Sequence, residues 1–100
     1  MSQIKAAKLT SSQIELELKR LPDWKMNSNG GIEKTFTFSG FPQSLLFVNA
    51  VGLHAESQNH HPDILVQWNK VKLALITHDS GGLTSKDFEL AKVVSTLPSI

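Results

Sequence analysis

The sequence predicts an α+β fold: a two-layer sandwich with a four-stranded antiparallel sheet and helices on one face. Three observations lead there. Apolar residues recur at helical spacing in three segments, they fill or alternate along four short strand-like runs, and Gly, Pro and Asn punctuate the boundaries. The resulting order is α-β-β-α-β-β-α. One hundred residues fit a single domain, 1–100, whose modest core makes oligomerisation a plausible supplement.

Thr10-Ser11-Ser12-Gln13 opens the first helix, because a hydroxyl can cap free N–H groups and Gln13 can reach back as a capping-box partner. Ile14, Leu18 and Leu21 keep helical spacing until Pro22 stops it. The stretch WKMNSNGGIEKTFTF reads as a hairpin, with Asn29-Gly30-Gly31 supplying residues that tolerate positive φ. Ile32, Lys34, Phe36 and Phe38 alternate with Glu33, Thr35 and Thr37, the pattern of a half-buried strand.

The second helix lies in SGFPQSLLFVNAVGLHAESQ, where Pro42 suits a first turn. Leu45, Leu46, Val48, Val51 and Leu53 are too many for one narrow stripe, so burial on more than one side is expected, one face on the sheet and another on a partner. Gly52 costs about 1 kcal/mol relative to Ala inside a helix, which predicts close backbone packing there. Strands DILVQW and VKLALITH follow, joined near Asn69-Lys70. Thr84-Ser85-Lys86-Asp87 starts the last helix, which runs through Phe88, Ala91 and Val94 towards Leu97 and ends before Pro98.

Composition narrows the function classes. Apolar residues are 40% and charged ones 19% of the chain, ordinary for a soluble globular protein. A formal net charge of +1 argues against direct nucleic-acid binding through bulk phosphate attraction. The absence of cysteine excludes disulfides and thiolate metal sites. The N-terminus carries no signal-peptide core, and no run approaches the roughly 18 apolar residues of a membrane span. The expectation is a cytoplasmic protein without membrane association, its first eight or so residues frayed.

The chemistry concentrates around ESQNHHPDILVQW. If the second hairpin turns at Asn69-Lys70, Trp68 faces Val71, Val66 faces Leu73 and Ile64 faces Leu75. That apolar face, Trp68 included, is then the core side. The same register sets His61 opposite His78, with Cβ atoms roughly 4.5–5.5 Å apart. Glu56 lies one loop away, so His60, His61, His78 and Glu56 form a candidate polar cluster, with Asp87 nearby.

Three readings compete for this cluster. Loop histidines are commonly solvated or satisfied by a backbone hydrogen bond, and His54, alone on the second helix, falls under that description. Imidazoles with a carboxylate suit zinc or iron, but adjacent histidines on an extended chain point to opposite sides, and HEXXH spacing is absent. Metal-free general acid–base catalysis needs groups that exchange protons near neutral pH around a small ligand, which histidines supply. Ser80 beside His78 could be a nucleophile, yet no nucleophile elbow accompanies it. Asp87 is first a helix-start residue, favourable at the positive end of the helix by about 0.3–1 kcal/mol.

The spacing itself is distinctive. Glu56, three residues, His60-His61-Pro62, five residues, Trp68, nine residues, His78, eight residues and Asp87 resembles the signature of the pterin-4a-carbinolamine dehydratase family. The NKV after Trp68 and the GL before the last helix also fit, and the element order agrees over nearly the whole chain. The resemblance implies dehydration of 4a-hydroxytetrahydropterin to quinonoid dihydropterin in tetrahydrobiopterin recycling, with pterin as substrate and no cofactor or metal.

By that resemblance His60, His61 and His78 are the catalytic residues. His61 and His78 would transfer protons, and His60 would bind the pterin or its side chain. Backbone around His60-His61-Pro62 and Thr77-His78-Asp79 would contact the ring, making Pro62, Thr77 and Asp79 substrate-binding, with Glu56 joining them as a hydrogen-bonding or orienting residue. Trp68 and Asp87 would be structural members of the signature. Animal members also assemble through helices and act as dimerisation cofactors of a homeodomain transcription factor. The implied state is therefore a homodimer or homotetramer, and the alternative function is a non-catalytic dimerisation or transcription-cofactor-like protein-binding module.

Overall fold

In a computed structural model, residues 6–97 are described. Helix α1 (Ser11–Arg20) is followed by strands β1 (Lys25–Met26) and β2 (Ile32–Thr37), and helix α2 (Phe41–Ser57) by β3 (Asp63–Gln67) and β4 (Lys70–Leu75). A short 3-10 turn (His78–Ser80) and helix α3 (Ser85–Ser95) complete the order. The four strands form one antiparallel sheet in the order β1-β2-β4-β3.

Sequence signals set the helix ends. Thr10 and Gln13 make the expected capping box on α1, and Thr84 and Asp87 make another on α3. In the first hairpin the organising residue is Asn27, upstream of the expected Asn29-Gly30-Gly31. Its Oδ1 accepts from the N–H groups of Asn29 (3.0 Å) and Gly31 (2.9 Å), while Gly30 takes the left-handed φ of 83°. Gly31 is required by proximity: a Cβ there would collide with the Leu75 carbonyl.

One face of the sheet is the core. Ile32, Val71, Leu73 and Leu75 are buried on it against Phe47, Val51 and Ala55 of α2 and Phe88, Ala91 and Val94 of α3. Trp24 closes one end, donating from Nε1 to Ser95 Oγ at 2.8 Å. The opposite face is mixed, with rows such as Lys25, Glu33, Ala74 and Asp63 beside the exposed Leu65.

The second hairpin corrects the expected register. Val66 pairs with Val71, Ile64 with Leu73 and Gln67 with Lys70, a displacement of two residues that keeps the strand parity, although Ile64, expected in the core, is 38% exposed on the edge strand. The turn is Trp68-Asn69, because Asn69 is clamped to the end of β2: its Nδ2 donates to the Phe38 carbonyl and its own carbonyl accepts from the Phe38 N–H. Trp68 is therefore expelled from the core, 71% exposed and held at φ 51°. His61 and His78 are consequently not a ladder pair, and β4 ends at Leu75, three residues before His78.

Within the single chain α2 buries one face, through Ser44, Phe47, Val51 and Ala55, and the side chains of Phe41, Leu45, Leu46 and Leu53, on the side expected to meet a partner, are exposed. Gly52 lies on that open side, and nothing stands within 4 Å of where its Cβ would be. At the described end of the segment expected to fray the chain is held, since Ser80 Oγ donates to the Ala6 carbonyl at 2.6 Å and the Leu9 N–H to the Leu83 carbonyl at 2.8 Å. Residues 1–5 of that expectation, and Pro98, lie outside the described residues.

Candidate active site

The C-terminal end of α2 places His60. Gln58 caps the helix, Asn59 adopts φ 51°, the Asn59 N–H bonds to the Glu56 carbonyl (3.1 Å) and the His60 N–H to the Ala55 carbonyl (3.0 Å). This is a Schellman ending with Asn in its left-handed position. It fixes the His60 backbone and turns the chain towards Pro62 and β3.

The His60 ring is held from the other side by the start of α3. Asp87 is fully buried, and its carboxylate accepts from the Thr84 N–H (2.9 Å), from Thr77 Oγ1 (2.8 Å) and from His60 Nε2 (2.6 Å). A carboxylate offers only acceptors, so His60 carries its proton on Nε2. With the Thr77 proton spent on Asp87, Thr84 Oγ1 must donate to Thr77 Oγ1 across their 2.8 Å contact. Every polar side-chain atom buried in this network is satisfied.

His61 lies on the outer side, its Nε2 2.9 Å from Glu56 Oε1 in an exposed pair. His78 is positioned by a different device. Beyond β4, Thr77 pairs with Gly82 in an isolated bridge, the 3-10 turn carries His78 outward, and Gly81 closes the loop at φ 73°.

His60, His61, Thr77, His78 and Asp79 thereby line one open cavity of about 310 Å³. The histidine convergence expected from the ladder is achieved instead by a helix ending and a loop. Thr77 shows a divided role: its hydroxyl belongs to the Asp87 network, and its backbone N–H and carbonyl bond to Gly82 and Ser80. Asp87 stands behind His60 rather than in the cavity lining, and Glu56 reaches the site through His61. Pro62 and Trp68 are not among the lining residues, and the Ser80 hydroxyl is engaged with the Ala6 carbonyl.

Three further lining residues, Asn59, Ile76 and Lys86, were not among the expected site residues. Asn directly after a helix was a readable signal for a left-handed cap, and Lys86 adjoins Asp87 in the first turn of α3. Among the described residues, no group of three His, Cys, Asp or Glu side chains stands in metal-holding geometry.

Fold and site together define a class of small α+β proteins built around a histidine-rich cavity with a buried carboxylate behind it. Comparison with known proteins gives the class its family. The family model for pterin 4 alpha carbinolamine dehydratase matches residues 7–97. A protein of Thermosynechococcus vestitus, provisionally named a pterin-4-alpha-carbinolamine dehydratase, is 47% identical over 92% of this chain and 96% of its own. One with the same provisional name from Chloroflexus aggregans is 43% identical over 91% of this chain and 97% of its own. A Brucella melitensis crystal structure, described as a transcriptional coactivator/pterin dehydratase, superposes with a TM-score of 0.84 at 29% identity, covering 88% of this chain and 95% of that one. The chain belongs to the pterin-4-alpha-carbinolamine dehydratase family, a family of hydro-lyases.

Proposed function

We propose that this protein dehydrates 4a-hydroxytetrahydropterin to quinonoid dihydropterin and water by histidine acid–base catalysis, without a metal or cofactor. The observation that carries the reading is the meeting of His60, His61 and His78 at one cavity within a chain of this family. The reaction expels the C4a hydroxyl as water, which a proton donor assists, and removes the N5 proton, which a base accepts. Two imidazoles can divide that work near neutral pH.

In this reading His61 and His78 transfer the protons. His60, locked by Asp87, contacts the ring or its substituent, and Glu56 orients His61. Asp79 and the backbone near Pro62 and Thr77 border the bound pterin. The reaction belongs to tetrahydrobiopterin recycling in the cytoplasm, and the protein acts as a homodimer or homotetramer. The description of the Brucella melitensis neighbour as a coactivator supports a second reading, a protein-binding module.

The deciding experiment follows the decay of chemically generated 4a-hydroxytetrahydropterin with purified, metal-free protein. Acceleration over buffer is expected. A folded protein with no effect would leave the binding module standing. His61→Ala and His78→Ala should each reduce the rate by about 10²-fold, the usual scale of one acid–base group. Full activity in both variants would refute the proton-transfer assignment.

A further inference from the structure

The three-histidine cavity has a neighbour. A second cavity, of about 160 Å³, lies beside it and shares the side chains of Ile76 and His78. It is a product of the sheet's outer face. Register sets Ala74 beside Asp63 on β3, and a methyl group next to a longer side chain leaves a hollow. The turn between β1 and β2 walls it through Asn27 and Gly31, and Ile76 adds an apolar surface.

The polar groups at this hollow are of two kinds. Asn27 spends its carboxamide oxygen on the Asn29 and Gly31 N–H groups, which orients the amide and leaves Nδ2 as a donor. Asp63 makes no ion pair or side-chain hydrogen bond among the described residues, so its carboxylate is an available acceptor. A hydroxyl group answers both, donating to the carboxylate and accepting from the amide. A phosphate or carboxylate would meet the charge of Asp63 instead.

We propose that this second cavity receives the 6-substituent of the bound pterin and selects a neutral, hydroxylated chain, with Asp63 and Asn27 as specificity-determining residues. The inference rests on the pterin reading above. It agrees with the ring's connectivity: C6 is bonded to N5, so a substituent passing His78 presents the reacting N5–C4a edge to that imidazole. The main cavity, but not the second one, is also lined by Lys86, which lacks an ion-pair partner among the described residues. An anionic substituent would favour Lys86 over the second cavity, so the two kinds of substituent predict different ring orientations.

The test titrates the protein with three 7,8-dihydropterins carrying a 6-methyl, a 6-dihydroxypropyl or a phosphorylated 6-hydroxymethyl group, and measures turnover of the matching 4a-hydroxy compounds. The dihydroxypropyl ligand should bind about fivefold tighter than the methyl one, the scale of one net hydrogen bond. Asp63→Ala should bring that ratio close to one. Asn27→Asp, which keeps the acceptor for both turn N–H groups, should do the same. A ratio near one in the parent protein, a preference that survives both substitutions, or no pterin binding at all would overturn the proposal. So would tighter binding of the phosphorylated ligand that disappears in Lys86→Ala. Binding with the expected preference but no turnover would sink the dehydratase reading alone, and turnover without preference would sink the second cavity alone.

Discussion

At the scale of single residues, Asp87 is where structural and chemical roles merge. As a helix-start residue it caps α3, and the same carboxylate reaches His60 and Thr77. The sequence made the cap legible through TSKD, because capping is local. The reach to His60, 27 residues away, depends on how α2 ends and could not be read from spacing. Asp87→Asn keeps the volume but supplies one acceptor oxygen where two are used. With charge-assisted bonds worth about 1.5–3 kcal/mol each, the variant should lose about 3 kcal/mol of unfolding free energy, read by urea denaturation. A positioning role has a separate signature. In the parent protein the His60 Nε2 proton should be protected from exchange and visible by NMR, and in Asp87→Asn it should exchange away. Thr77→Val, nearly the same shape, removes a donor and an acceptor from the buried chain and should cost about 1–3 kcal/mol in the same denaturation.

At the scale of elements, two left-handed residues show why the hairpin and the site were only partly readable. Strand faces were legible, since a two-residue displacement leaves parity intact, and Val66, Val71, Leu73 and Leu75 do share the core side. The turn was not, because its position is set by Asn69 bonding to Phe38 on a different strand. Trp68 bears the consequence, a bulky side chain at φ 51° with most of its surface open. Left-handed backbone costs an ordinary residue about 1–2 kcal/mol, part of which Asn recovers, so Trp68→Asn should stabilise the fold by about 0.5–1 kcal/mol in chemical denaturation. Asn59 obeys the same rule in the opposite sense. Asn59→Ala should destabilise by about 1 kcal/mol and slow catalysis by loosening His60, while Asn59→Gly should stay within about 0.5 kcal/mol.

At the scale of the whole molecule, topology puts the chemistry on the side of the sheet where elements end. α2 ends just before His60, β4 gives way to the His78 loop, and the first turn of α3 brings Lys86 to the lining with Asp87 behind His60, so three element ends close around one cavity. The opposite flank has a different character. Phe41, Leu45, Leu46 and Leu53 stand open along α2, with Leu53 76% exposed, and Gly52 offers bare backbone beside them. Four exposed large apolar side chains along one helix mark an interaction surface, and the exposed glycine beside them permits close approach of a second helix. Self-association through this face is the expected outcome, with a second copy of the chain as the occupant. Sedimentation velocity should give a mass above that of one chain, and Leu53→Lys, which places a charge at the most exposed apolar side chain of the face, should return the protein to 11.0 kDa. His61→Ala should sediment as the parent does, because its ring belongs to the cavity and not to the α2 surface. A parent protein that runs as a monomer at all concentrations, or a Leu53→Lys variant that remains assembled, would place the association elsewhere.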